Sequence, residues 1–546
     1  MGEFTLEEQK VLSRFVTNTD RDIFALFNLP EVVKGALFSR YSRSSKSLRR
    51  VLLDEFLLNK EQGFAQITEH QQERGASGLV ATQKAEEFYE RVLVGYGDDS
   101  VAELAGAHVA MENISNIATK FIEDSRIGLS PLEKSTRYVY FDQKDMEGRY
   151  RFCREPGIMN SEFSESYEKT CNLLFDTYAS LIPKVSKFFM ERFPKTQELS
   201  DRAYSATIRA KTCDILRGLL PASTLTNMGA FGNGRGFEYL LTKMYASDLA
   251  EIRNIASALH SELRLVIPAF VKRTDDKYGK QHIAYISNTD SAVAGMVSEL
   301  VKNEKNNFET AVGLADYDSD AELKVLAAMI HSNSQLSMKR AREIAKSLPK
   351  DKAQSLLSAY IGERQNRRHK PYRAFENTYY TFDICANFGA YRDIHRHRVL
   401  TQQRQLLNTS LGYDMPKELA EAGYENEFKN AMEAAENAYE RIAKKMPGQA
   451  QYVVPLAYRL RWYMKMNLRE AYHFCELRSV QQGHPDYRKI AQEMYMKIKE
   501  VHPSLASGMK FVDMNSYALE RLDSEKRIDK KLEEIDKKYA KGPPPS

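Results

Sequence analysis

The stretch YRDIHRHRVLTQQRQLLN, residues 391–408, alternates guanidinium and imidazole groups at Arg396, His397 and Arg398. An arginine fork stays charged and binds phosphate or carboxylate oxygens in pairs. Positive neighbours disfavour imidazolium, so a histidine between two arginines is pushed towards its neutral form. Alone, the stretch reads first as a solvated basic helix face or a nonspecific nucleic-acid contact. A second polar cluster, SRIGLSPLEKSTRY at 125–138, holds Ser130, Glu133, Ser135, Arg137 and Tyr138. Two Asn-x-Arg triplets follow proline-led segments: fourteen residues separate Pro221 from Arg235, and fourteen separate Pro455 from Arg469. Asn233 and Asn467 hold the matching position in each, which suggests an internal duplication. Plain structural readings stand beside these. Glu133 and Arg137 have the spacing of a helical ion pair, and the two asparagines suit caps or turns. Tyr138 and Tyr140 suit a strand, and His395 and His473 suit satisfied structural positions.

The elements that must position these groups are mixed. Apolar residues recur three or four apart over 236–266, and Pro268 closes that helical segment; 428–445 and 486–500 share the spacing. The aromatic and β-branched run at 376–388 predicts a strand. Without regular βαβ alternation the class is α+β, with mixed helices and antiparallel sheet. At 546 residues two or more domains are expected. GNGRG at 232–236 fails the spacing of a dinucleotide-binding loop. Cys153, Cys171, Cys213, Cys385 and Cys475 form no CxxC pair, which argues against zinc or a disulfide framework and for a reducing, cytoplasmic setting. No apolar run reaches the roughly 18–20 residues of a membrane span. MGEFTLEEQK has no positive n-region or apolar h-region, so secretion is not expected, and Leu6 in place of Ser or Thr argues against myristoylation. A net charge of +5 fits anionic small molecules as well as weak nucleic-acid contact. From Arg521 the tail reads as a charged helix followed by a disordered, proline-rich end.

Together these motifs resemble the flavin-dependent thymidylate synthases. That family carries a signature RHR-x-x-S-x-x-E-x-S-x-R-Y and a later Pro…Asn-x-Arg-Ser-Leu stretch. Here the signature occurs twice, each time half-erased. The first copy keeps Ser130, Glu133, Ser135, Arg137 and Tyr138 but holds Ser125-Arg126-Ile127 in the RHR place. The second keeps Arg396-His397-Arg398, with Thr401 for the first Ser and Arg404, Leu406, Asn408 and Thr409 further on. DDSVAEL at 98–104 keeps Ser100 and Glu103 of an upstream element, and NLREAYHFCELR at 467–478 ends on Arg478. From signature to proline the first copy spans 96 residues and the second 59, so about 37 extra residues are expected around 140–190. The expected organisation is two tandem repeats, 1–275 and 276–520, with a tail at 521–546.

The resemblance implies FAD-dependent methylation of dUMP to dTMP, with methylenetetrahydrofolate as carbon donor and NADPH as reductant. It implies that Arg396, His397 and Arg398 meet flavin and folate, joined by Thr401, Ser100 and Glu133. It implies that Ser130, Glu133, Ser135, Arg137 and Tyr138 serve dUMP, with Asn233, Arg235, Asn467, Arg469 and Arg478 as further substrate contacts. The catalytic set is Arg396, His397, Arg398 and Arg137, with no metal and no membrane. Family members assemble with sites shared between chains, so complementary erosion implies a homodimer acting as a pseudo-tetramer. A non-catalytic or altered-substrate flavin and nucleotide-binding scaffold is the alternative. An RNA-binding protein ranks last, for want of interleaved aromatic platforms or a dense basic stripe.

Overall fold

The computed structural model describes residues 4–42, 44–58, 102–304, 308 and 310–539. In chain order, β1 (Gly106–Ser115) leads into α1 (Asn116–Glu123) and β2 (Leu129–Glu133). The long helices α2 (Ser164–Arg192) and α3 (Asp201–Leu216) precede β3 (Leu225–Asn233), α4 (Gly234–Ala246), α5 (Ala250–Val266) and α6 (Lys277–Leu300). The series then recurs: β4 (Val312–Tyr317), β5 (Tyr379–Asn387), α7 (Phe388–Ile394), β6 (Thr401–Arg404), α8 (Glu425–Ala443), β7 (Arg459–Asn467) and α9 (Leu468–Arg478). α10 (Pro485–Val501) and α11 (Leu522–Tyr539) complete the elements used below.

The sheets are ordered β1-β3-β2 and β4-β5-β7-β6. Apart from the added edge strand β4, the second repeats the order of the first, as tandem copies require. The pairings β2–β3, β4–β5, β5–β7 and β6–β7 are antiparallel. β7 shows why: Leu460, Trp462, Met464 and Met466 are buried on one face and alternate with Arg459, Arg461, Tyr463 and Lys465. The same asparagine device ends three of the strands. Asn233, Asn387 and Asn467 accept the backbone N–H three residues on, at 2.7, 2.8 and 2.8 Å, and so start α4, α7 and α9. Asn233→Ala is therefore expected to cost about 1 kcal/mol of stability, read as a lower urea midpoint; an unchanged midpoint would remove the capping account.

Two compact units divide the chain. One comprises Met1–Ile114, Ala118–Lys134 and Thr226–Glu304 and carries most of the first sheet. The other comprises Ser115–Ile117, Ser135–Leu225 and Lys305–Ser546 and holds the second sheet together with α2 and α3. There α2 lies against α3 and α8, and α11 against α3. Where the second copy has the 19-residue α8, the first has helices of 29 and 16 residues, so its surplus extends beyond 190 to α3.

The expected strand at 376–388 and helices at 428–445 and 486–500 are present as β5, α8 and α10. The helix expected over 236–266 is instead two. Ser247 takes an extended conformation, its hydroxyl accepts the Leu249 N–H, and its carbonyl accepts from Arg253. Local side-chain bonding of this kind competes with the helix. Tyr138 and Tyr140 lie in a turn and the coil after it rather than in a strand. Glu133 ends β2 and makes no helical pair with Arg137. The tail helix is α11; the proline-rich end lies outside the described residues. Among the described residues no helix is long and apolar enough to cross a membrane.

Candidate functional site

A cavity of about 330 Å³ opens in the second unit where three segments meet. The turn after α7 supplies Arg396, His397, Arg398 and Val399. The segment before β5 supplies Lys370 and Glu376, and the start and face of α9 supply Asn467, Arg469, Glu470, His473, Leu477 and Arg478. The helical period explains the last group, since 470, 473, 477 and 478 share one face. Arg469 ties two walls together: its Nε donates to the Pro371 carbonyl at 2.8 Å, and its Nη1 lies 3.3 Å from Glu376. Five cations face two carboxylates, so the cavity favours an anion.

His397 sits in the wall, not at the mouth. Arg478 Nε–H donates to its Nε2 at 2.9 Å, and its Nδ1 lies 2.6 Å from Glu470 Oε1. A guanidinium N–H can only donate, so Nε2 carries the lone pair and the single ring proton sits on Nδ1, donating to Glu470. Burial holds His397 well below the usual imidazole range, and Arg478, Arg396 and Lys370 act in the same direction. Burial likewise lowers His473 to about 4. Burial pushes Glu470 up to about 7, although His473, Lys370, Arg478 and Arg469 pull the other way. Arg478 itself is held below its ordinary value by burial, with Arg396 adding repulsion. Arg396 Nε is buried without a hydrogen-bond partner. Ligand-type atoms of His397, Glu470 and His473 lie within 4.8 Å of one another. They suit a divalent cation poorly, because Arg478 occupies Nε2 and the surrounding cations repel it.

The family model described as "Thymidylate synthase complementing protein" matches residues 50–269 and again 313–504. The chain belongs to this family. The double match to the thymidylate synthase complementing proteins agrees with the repeated strand order and the two Asn-capped Asn-x-Arg helices. A "UPF0159 protein" of Chlamydia muridarum is 45% identical over 528 residues, covering 96% of this chain and 98% of that one. One from Thermoplasma acidophilum is 36% identical over 521 residues, covering 90% and 98%. Among solved structures, the UMP/dUMP methylase PolB from Streptomyces cacaoi bound with 5-Br dUMP is 19% identical. That match covers 36% of this chain and 93% of the other, with a TM-score of 0.28.

Of the residues expected to matter in this family member, Arg396, His397, Arg398, Asn467, Arg469 and Arg478 line the one cavity. Thr401 is exposed at the start of β6, opposite Lys465, and is not among the lining residues. Arg137 belongs to the same unit but is engaged: Nε and Nη2 grip Asp214 at 2.7 and 2.6 Å, and Nη1 reaches the Tyr487 hydroxyl at 3.2 Å. Burial opposes the charges of this pair, yet Arg137, aided by His484, holds Asp214 at about 2. Arg478 lies 5.9 Å from the Tyr487 ring and Arg137 5.7 Å, so one tyrosine lies between Arg137 and the cavity's Arg478. Ser135 Oγ accepts the Arg137 N–H, Thr136 accepts from Arg392, and Tyr138 is half exposed under Arg521.

Ser130, Glu133, Asn233 and Arg235 fall in the other unit. There Glu133 pairs with buried Lys120 at 2.8 Å, and Arg235 pairs with Glu103 at 2.8 Å. Ser100 lies outside the described residues. Four polar lining residues escaped the sequence reading, Lys370, Glu376, Glu470 and His473, the last expected to be structural, as did the aliphatic Val399 and Leu477. A signal existed for two of the polar ones. Glu470 stands where the family pattern has serine, and His473 follows three residues later on the same face.

Proposed function

We propose that the chain is an FAD-dependent thymidylate synthase, methylating dUMP to dTMP with methylenetetrahydrofolate as carbon donor and NADPH-reduced FAD as hydride source. The observation that carries this reading is the convergence of Arg396-His397-Arg398, Asn467-x-Arg469 and Arg478 on one cation-rich cavity. An anionic group fits there: it would partner the buried Arg396 Nε and relieve the opposed charge of Arg478. Flavin, nucleotide and folate all bring phosphates or carboxylates. Arg396, Arg398 and Arg478 would hold the flavin and folate; Ser135 and Arg137 would meet the dUMP phosphate only with the Arg137–Asp214 fork opened. When bound, reduced flavin supplies the hydride that completes the methyl group.

The chain's own residues orient and neutralise. Neutral His397 holds Arg478 by Nε. Glu470 can take or release a proton near neutral pH. Val399 and Leu477 are the aliphatic part of a mainly polar wall. The repeats, 1–275 and 276–520, would pair in a cytoplasmic homodimer acting as a pseudo-tetramer, with Ser100, Thr401, Ser130, Glu133, Tyr138, Asn233 and Arg235 serving its composite sites.

Purified protein given dUMP tritiated at the ring carbon that is methylated, NADPH and methylenetetrahydrofolate should be yellow and release tritium to water. Colourless protein that leaves dUMP untouched would overturn the reading. One observation favours the scaffold alternative, namely the closed Arg137–Asp214 fork. Bound flavin without tritium release under any reductant would select it.

A further inference from the structure

We propose that Glu470 is a positioning residue that acts through His397 to aim Arg478 at anions in the cavity. The three groups form a directional line. Arg478 Nε–H donates to His397 Nε2 at 2.9 Å, and His397 Nδ1–H donates to Glu470 Oε1 at 2.6 Å. The ring is packed by Phe474 and His473, with centroids 4.7 and 5.4 Å away. Asn467 anchors the turn that carries Glu470 by accepting its backbone N–H. With Nε committed to His397, Arg478 presents its Nη groups to a ligand.

Without an acceptor at Nδ1 the imidazole would be free to place its proton on Nε2. That proton would face the Arg478 Nε–H, and the arginine would turn away. Both ionisation states of Glu470 can accept from Nδ1–H, so the line survives titration while its charge does not. The charged and titratable groups facing Glu470 are His397 and Lys370 from the other walls and Arg469, His473 and Arg478 from its own helix. Burial, against the pull of His473, Lys370, Arg478 and Arg469, puts its titration at about 7. Above that value the carboxylate repels an anionic ligand; below it the neutral acid does not, so anion affinity should fall as pH rises.

The inference rests on the flavin reading only for its probe, FAD. The experiment compares wild type, Glu470→Gln and Glu470→Ala by 15N shifts of labelled histidines and by FAD affinity between about pH 6 and 8. Wild type should show His397 protonated at Nδ1 and bare at Nε2, with FAD affinity falling severalfold across the range. Glutamine keeps an acceptor, so Glu470→Gln should keep the tautomer and bind FAD within about threefold of wild type, with that pH dependence gone. Glu470→Ala should lose the tautomer signature and bind FAD about tenfold more weakly throughout. An unchanged His397 tautomer in Glu470→Ala, or Nε2 protonation in wild type, would overturn the proposal. If wild type bound no FAD, the flavin reading would fall while the tautomer signals still decided the line.

Discussion

Replacing Arg137 by methionine is expected to lower the unfolding free energy by about 3–5 kcal/mol, the cost of leaving a buried charge without its partner. The fork from Arg137 covers both oxygens of Asp214, and both residues are buried. Paired, Asp214 titrates at about 2, below the roughly 3.9 of an unfolded chain. A carboxyl depressed in this way adds stability above its unfolded pKa and loses it as pH falls towards the folded value. In Arg137→Met the largest pull is gone and only His484 and Arg217 still oppose burial, so Asp214 titrates upward. The deficit is thus largest near neutral pH and narrows as pH falls through the variant's raised carboxyl pKa towards the wild-type value of about 2. Urea unfolding at several pH values checks this. Adding Asp214→Leu to Arg137→Met should recover most of the loss, because an apolar pair of similar volume leaves no stranded charge. A deficit below about 1 kcal/mol at neutral pH would show that the fork is not what holds this part of the fold.

Arg396→Leu should act in the opposite sense on stability and strongly on binding. FAD affinity is expected to fall about a hundredfold, the scale of one charge-assisted hydrogen bond and its share of the cavity's field. Leucine keeps apolar packing along part of the arginine stem. It removes a buried Nε that lacks a partner and a cation that burdens Arg478. The unfolding midpoint should therefore stay level or rise, as when a strained binding group is removed. Fluorescence titration with FAD and a thermal melt make the comparison. Wild-type affinity in the variant would exclude Arg396 from the ligand site; a lowered midpoint would mean that its role is structural.

The candidate site was half legible in the chain. Arg396, His397, Arg398, Asn467 and Arg469 sit in short motifs, and each motif sits on one turn or one helix start, so local sequence placed them correctly relative to their own element. The caps at Asn233 and Asn467 were readable for the same reason: a side chain three residues from its backbone donor needs no tertiary help. That His473 lines the cavity was not legible, because its burial and its neighbours come from other segments. Glu470 was overlooked because its place in the pattern marks only a departure from serine, while its raised pKa depends on burial.

The sequence by itself determined the duplication, the mixed class and the residue types that face an anion, because spacing, capping and charge are properties of neighbours along the chain. Tertiary structure alone decided which of these groups are available. Arg137 is closed by Asp214, a contact across 77 residues, and His397 is turned into the wall by Glu470 and Arg478, 73 and 81 residues on. It also decided that the first copy's α2 and α3 share a compact unit with the second copy's sheet. The physical reason is one throughout. Pairing, burial and the local dielectric act through space, and a linear pattern carries no record of which distant group will take up a given hydrogen bond.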